Sequence, residues 1–575
     1  MPQPSKSTLA RNGTAIAAAA IPSLLAFSTS PSPTFLNQAL AFALWPSLLL
    51  TADIVPRWRS VAPLQAALIL LALAAAAGSL FGTLPAALSL SAVATLLATS
   101  LLAAGGAGMR ADPDAQSFFA AFCWAWVVTG ALNIAIALLQ VFAPGLCDGE
   151  WLAASAYPGR AVGNLRQPNH LSSLLLWHCI AVVALFELGR LRRGLAALLL
   201  GLGVFAVVLT ASRTGLVSVV LLAVWGLLDR RLSKTARRLL WAAPLVYALT
   251  WEAMAQWAAL SQQAFGGSER LAETDISSSR FAIWRDTLEL IRQQPWTGVG
   301  WGEFNLAWTL TPSPHRPTAF FDHTHNLPLQ LAVELGLPLA LLVMGLLMWA
   351  LWQAAARAWR TDGALGTAQR SAVLMVLMIG LHSLLEYPLW YAYFLLPAAW
   401  AFGFALQGDP KAAPTAAPAP RVNPLVVASL VVVGGAVMSV ADYWRVVLIF
   451  APGDATTSLE QRIAQGQRSV FFAHHADYAA VTSDIPQADP AHAFDRAPHY
   501  LLDTRLMLSW ARALAAEGRI DEARHLAARL REFRKPDAEE FFKDCPKAAS
   551  APAPGMPFQC ELSQRAVPWR EFLRR

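Results

Sequence analysis

The chain has 575 residues, 56% hydrophobic and only 14% charged, against roughly a quarter charged in soluble domains. So much apolar surface excludes a soluble globular protein and requires a bilayer to cover it. The net charge of +7 is the kind that marks cytoplasmic loops of a membrane protein, not a nucleic-acid interface, and the 22 Trp residues suit aromatic belts at the bilayer edges.

A membrane span takes about 20 apolar residues. Segments centred on 13–29, 36–53, 61–81, 85–106, 117–143, 170–188, 194–210, 214–228, 239–258, 328–352, 371–386, 389–407 and 424–442 predict about thirteen spans, with 194–228 also readable as a broken pair. The first follows Lys6 and Arg11, lacks a convincing cleavage site and reads as an anchor, not a cleaved signal. With the N-terminus inside, Arg57, Arg59, Arg110, Arg190, Arg192, Arg193, Arg230, Arg231, Lys234, Arg237, Arg238, Arg357, Arg360, Arg370, Lys411 and Arg421 fall in cytoplasmic loops, and the turns near 30–35, 81–84 and 387–388 carry no Lys or Arg. The expected fold is all-α, a polytopic transmembrane helix bundle. It divides into N-terminal spans at 1–143, a membrane core at 144–407 holding a long outer loop at 259–327, an Ala/Pro-rich linker at 408–423, a last span at 424–442 and a small helical domain at 443–575. Thirteen spans put that domain outside. Within it, Leu501 to Phe533 reads as two helices joined at Glu517–Gly518–Arg519. Cys545 and Cys560 lie close in sequence; they pair if this end is outside and are free thiols if it is not.

The cations predicted on the outer side stand out against that pattern. They are Arg160 and Arg166, Arg213 at a tight turn, and Arg270, Arg280, Arg285, Arg292 and Arg316 in the long loop. Each is either a solvated loop charge or a residue with another task. Ser277, Ser278 and Ser279 offer helix caps, and Phe281, Trp284, Leu288 and Ile291 then recur at helical spacing, which predicts an amphipathic helix. The following Gly298–Val299–Gly300–Trp301–Gly302 superficially resembles a dinucleotide loop, but no preceding strand or GK[ST] accompanies it.

Four outer-face sites carry candidate chemistry. In the Gly163–His170 run, Asn169 is either a helix cap or a contact residue, and Gln167 precedes it. Arg213, in Ser212–Arg213–Thr214–Gly215, sits at the mouth of a bundle and calls for an anionic partner. Arg280 opens the amphipathic helix. Asp322–His323–Thr324–His325–Asn326 stands at the mouth of a later span; two histidines at i and i+2 with one carboxylate do not define a metal site, so no metal is expected. His178 and His382, in or near spans, read as hydrogen-bonded structural histidines. Tyr387 and Tyr391 read equally as interfacial anchors or contact residues.

His325–Asn326 followed by Leu329–Gln330 and Glu334–Leu335–Gly336 resembles the signature of the bacterial O-antigen ligase/polymerase superfamily. Arg280, Trp284, Pro295, Gly298, Gly300, Gly302 and Phe304 resemble that family's long periplasmic loop. Arg166–His170, Ser212–Gly215 and His382–Tyr391 are most similar to its protein O-oligosaccharyltransferase branch. The resemblance covers roughly residues 150–400. It implies en bloc transfer of a preassembled glycan from a polyprenyl (undecaprenyl) diphosphate carrier to a Ser or Thr hydroxyl of a pilin or other periplasmic protein, by an inner-membrane enzyme whose site faces the periplasm. The partners implied are the lipid-linked oligosaccharide, the acceptor protein and membrane lipids. No cofactor is implied, because the carrier already activates the sugar. On this reading His325 is the base with Asn326 orienting it or the substrate, and His323 is held in reserve. Arg213 and Arg280 bind the pyrophosphate, and Gln167, Asn169, Tyr387 and Tyr391 are contact candidates. An O-antigen ligase acting on lipid A core and a repeat-unit polymerase are the nearest alternatives. A transporter is the third, although polar residues cluster at one face, not at the midplane.

Overall fold

The structure is a computed structural model, and it describes residues 6–268, 276–408, 423–483, 490–546 and 556–573. Arg270, nearly all of the Ala/Pro-rich linker and the side chains of Ser277, Ser278 and Ser279 lie outside that description. Among the described residues there is no β-strand, only an isolated bridge between Thr29 and Ser32. The apolar elements are α1 (Lys6–Leu24), α2 (Phe35–Leu49), α3 (Ala62–Leu80), α4 (Ala86–Ala111), α5 (Ala115–Phe142), α6 (Pro168–Glu187), α7 (Arg193–Thr210), α8 (Arg213–Leu228) and α9 (Lys234–Ser261). After α10 (Ile276–Gln293) and α11 (Phe304–Leu310) come α12 (Leu327–Arg360), α13 (Gly363–Ser383), α14 (Ala392–Leu406) and α15 (Pro424–Phe450). Each of the thirteen predicted segments falls on one of α1–α9 or α12–α15. Among the described residues, eight helices are long and apolar enough to cross a membrane, and α2, α8 and α14 are shorter apolar helices. The chain is a multi-pass membrane protein. The 194–228 region is two helices, reversed at Ala211 in the left-handed conformation (φ 49°).

The chain forms two compact units that share helices. The first takes Met1–Ile69, Thr95–Thr274 and Gly345–Val440. Its core is the buried length of α5 and α6, with α1 and α7 packed against them. Phe122 stacks on Trp400 at 4.4 Å, and Trp126 meets Trp177 edge-on at 4.6 Å. Such aromatic pairs interlock helices in a membrane, where the hydrophobic effect gives no preference between helix and lipid. Two arginines expected in loops are instead interior. Arg370 lies within α13 and its Nε is 2.7 Å from Asp229 Oδ2, both side chains being at most 2% exposed. Arg110 is 1% exposed at the end of α4, with Nη2 donating to Gln369 Oε1. Buried guanidinium groups need such partners, since solvation no longer supports their charge.

The second unit takes Leu70–Ala94, Asp275–Met344 and Ala441–Arg575. It contains α10, α11, the 320–326 turn, the N-terminal half of α12 and the C-terminal helices. Two of those helices, Thr504–Ala516 and Ile520–Phe533, are the expected hairpin. Cys545 and Cys560 form a disulfide. α10 is the expected helix, and on it Ile283, Thr287, Leu290 and Ile291 are buried, whereas Phe281 and Leu288 are 64% and 46% exposed. Trp284 lies between the two faces and donates its indole N–H to Thr324 O at 2.9 Å. That polar bond, invisible in the apolar periodicity, sets the rotation of the helix.

Candidate active site

α12 is broken at Gly336, whose φ of 74° and ψ of 162° interrupt the helix. The break leaves main-chain carbonyls and an N–H of α12 without helical partners, and the 295–300 segment supplies two donors and an acceptor. Val299 N donates to Val333 O at 2.8 Å, Gly300 N to Glu334 O at 3.1 Å, and Leu337 N to Pro295 O at 2.8 Å. The approach is so close that a Cβ on Gly336 would lie 2.4 Å from Trp296 O, and one on Gly298 2.5 Å from the Glu334 backbone. These two glycines let the backbones meet.

The seam holds the turn that carries His325. Thr324 N donates to Gln330 Oε1 at 2.8 Å, and Gln330 Nε2 to Glu334 Oε1 at 2.9 Å. Asn326 is the cap of α12, its Oδ1 accepting from Leu329 N at 3.0 Å. His325 has φ 56°, a left-handed conformation that side chains other than glycine rarely adopt and that concentrates at functional sites. Its ring meets Phe321 edge-on at 5.3 Å. His325 Nδ1 faces His323 O at 3.1 Å. A carbonyl only accepts, so Nδ1 carries the proton and Nε2 the basic lone pair. Burial pushes this imidazole down to about 4; the charges of Arg280 and His323 act in the same direction, against the bond to His323 O and the charge of Asp322. His325 is therefore neutral at pH 7. Trp284 is one turn beyond Arg280 on α10, so its bond to Thr324 O brings the arginine to the same turn. His323 Nδ1 is 2.8 Å from Asp322 Oδ1. Among the described residues no cluster of His, Cys, Asp and Glu has a metal-holding arrangement.

The other candidates belong to the first unit. Gln167, not Asn169, caps α6: its side-chain oxygen accepts from Asn169 N and His170 N, with Pro168 in the first turn. Asn169 is a bridge instead, with Nδ2 donating to Glu386 Oε1 at 3.1 Å and Oδ1 accepting from Ser212 Oγ at 2.7 Å. Ser212 also caps α8 through Gly215 N, which leaves the exposed Arg213 as that helix's first residue. Tyr387 stacks on Tyr391 (ring centroids 6.2 Å apart), and Tyr391 meets His170 edge-on at 4.5 Å. His170 Nδ1 is 3.1 Å from Tyr393 OH, and His382 Nδ1 is 2.7 Å from Ser173 Oγ. Buried His178 has its ring nitrogens 3.2 Å from Val127 O and Leu199 O. Tyr393 was not expected in this group, and Ser212 and Glu386 were expected only as members of their motifs. The sequence signal for Glu386 was its place in the His382–Tyr391 motif, but its partner is 217 positions away.

Three family models match the chain: O-antigen ligase over residues 196–344, the C-terminal part of a virulence factor membrane-bound polymerase over 370–543, and protein glycosylation ligase over 161–186. Two curated relatives come from Acinetobacter baylyi. A general O-oligosaccharyltransferase is 30% identical over 307 residues, and a ComP-specific O-oligosaccharyltransferase is 26% identical over 292. The aligned region spans about half of this chain and 50% of the length of each relative. Residues 196–344 are thus similar to O-antigen ligases and residues 161–186 to a protein glycosylation ligase, and the chain spans about half the length of the O-oligosaccharyltransferases it matches.

Proposed function

We propose that this protein transfers a preassembled glycan from a polyprenyl diphosphate carrier to Ser or Thr hydroxyls of a pilin or another protein, at the periplasmic face of the bacterial inner membrane. The observation that carries this reading is the neutral His325, in a left-handed turn with Arg280 acting on it. His325 Nε2 accepts the hydroxyl proton as the acceptor oxygen bonds to the anomeric carbon. The bond from that carbon to the diphosphate oxygen breaks, and the lipid diphosphate leaves with the electron pair. Planar guanidinium groups stabilise the charge that develops there. We assign that task to Arg280, beside the base; Arg213, at the head of α8 in the other unit, is assigned separately to binding the anionic carrier. Asn326 shapes the turn by capping α12; His323 is the alternative base. Gln167 and Asn169 order the start of α6, and Tyr387 and Tyr391 are assigned to substrate contact.

The test is co-expression with a pilin and a lipid-linked glycan in a host lacking its own ligase. A glycan-sized mass shift on the pilin is expected, absent with His325→Ala or Arg280→Ala although both variants remain membrane-inserted. An unmodified pilin with laddering of lipopolysaccharide would replace the protein acceptor by lipid A core. That second reading has specific support in the O-antigen ligase match over residues 196–344.

A further inference from the structure

The C-terminal residues of the second unit reach the turn that carries His325. Asn305, in α11, is 4% exposed and uses both ends of its carboxamide. Its Oδ1 accepts from Leu502 N at 2.9 Å, and its Nδ2 donates to Phe321 O at 2.8 Å. Phe321 is the residue whose ring rests on His325. Two residues before Asn305, Glu303 presents both carboxylate oxygens to His499 Nδ1, at 2.7 and 2.8 Å, with the side chains 6% and 2% exposed. The far end of α11 is held too. His525 Nε2 donates to Leu310 O at 2.6 Å, and Arg316 Nε to Glu532 Oε2 at 2.8 Å. The Arg316 guanidinium also lies 4.8 Å from the ring centroids of both Trp308 and Phe533.

A buried carboxamide whose donor and acceptor are both engaged by main chain can occupy one orientation only. Rotating it would orphan Leu502 N and Phe321 O together. We propose that Asn305 is a positioning residue for His325, held in register from the C-terminal helical segment by Leu502 N and the Glu303–His499 pair. The proposal rests on His325 being the base. It makes the C-terminal segment part of the catalytic scaffold, through a path from Leu502 by way of Asn305 and Phe321 to the imidazole.

The full-length protein in membranes, with lipid-linked donor and pilin acceptor, tests this. Asn305→Ala breaks both bonds; Asn305→Asp keeps the acceptor for Leu502 N and loses the donor to Phe321 O. Both are expected to lower kcat on the order of 10- to 100-fold, as small misplacements of catalytic groups do, with KM for donor and acceptor within about threefold. His499→Ala is expected to lower kcat in the same way. An activity-independent readout is carbethoxylation of His325 by diethyl pyrocarbonate, followed by mass spectrometry of its peptide. Its rate is expected to be nearly flat between about pH 5 and 7 in the parent protein. In Asn305→Ala it should rise across that window, as the ring regains water and titrates nearer the ordinary value of about 6.5. Parent-like kcat together with a parent-like labelling profile in both Asn305 variants overturns the proposal. So does a loss confined to KM. An active His325→Ala protein alongside a shifted labelling profile in Asn305→Ala would instead reject the base assignment and leave the positioning intact.

Discussion

At the scale of single residues, His325 combines a rare backbone conformation with a proton affinity lowered by burial and by Arg280. The sign of its pH dependence follows. The folded state holds this imidazole near 4, below its ordinary value of about 6.5. Its contribution to stability is therefore complete above the ordinary value and is lost as pH falls from there toward 4. For catalysis, kcat/KM reports the free enzyme, so its acid limb is expected near pH 4. In the donor complex the diphosphate anion favours the imidazolium, and the acid limb of kcat is expected at higher pH. Measuring both profiles on one preparation checks this; coincident limbs would remove either the base or the anion from its neighbourhood. The HN signature and Arg280 were legible because a local motif carries them. The bridging role of Asn169 was not, because Ser212 and Glu386 lie 43 and 217 positions away and nothing local encodes their convergence.

Among the elements, α12 shows how a helix break builds a seam. Gly336 requires φ 74°, and a side chain there would collide with Trp296 O. Gly336→Ala incurs both penalties, and backbone strain alone is typically about 1–3 kcal/mol. A lowered midpoint in thermal unfolding of the detergent-solubilised protein is expected, with protease cleavage near residues 295–300 and lost transfer. An Ala variant at Gly345, where a Cβ would meet nothing within 4 Å, should behave as the parent. The spacing of Gly298, Gly300 and Gly302 was visible in the sequence, yet its meaning was not, since the partner backbone lies more than thirty residues downstream. The rotation of α10 was not legible for a related reason. Periodicity reports where apolar residues recur, and on a loop helix two faces can both be apolar. The indole bond of Trp284 decides between them.

For the molecule as a whole, the apolar helices were readable because hydrocarbon must cover a membrane span. What periodicity cannot show is which charges the bundle takes inside. Asp229 and Arg370 are 141 positions apart and bind at 2.7 Å in the interior. Removing one partner of a buried pair strands the other and typically costs about 3–5 kcal/mol. Arg370→Met and Asp229→Leu should each lower the unfolding midpoint and the amount of inserted protein, and the double variant should recover much of both. Equal, additive losses would show that the two groups do not act as a pair.

The bond between Cys545 and Cys560 turns the tail of this chain into a recorder of its own address. Thiols stay joined in compartments that oxidise them and come apart in the cytosol, so the bond's state reports which aqueous phase the last segment entered. Maleimide capture from intact cells, before and after reductant, reads that record. Cys147, a free and partly exposed thiol, serves as the internal reference, tagged at once, whereas the tail pair is tagged only after reduction.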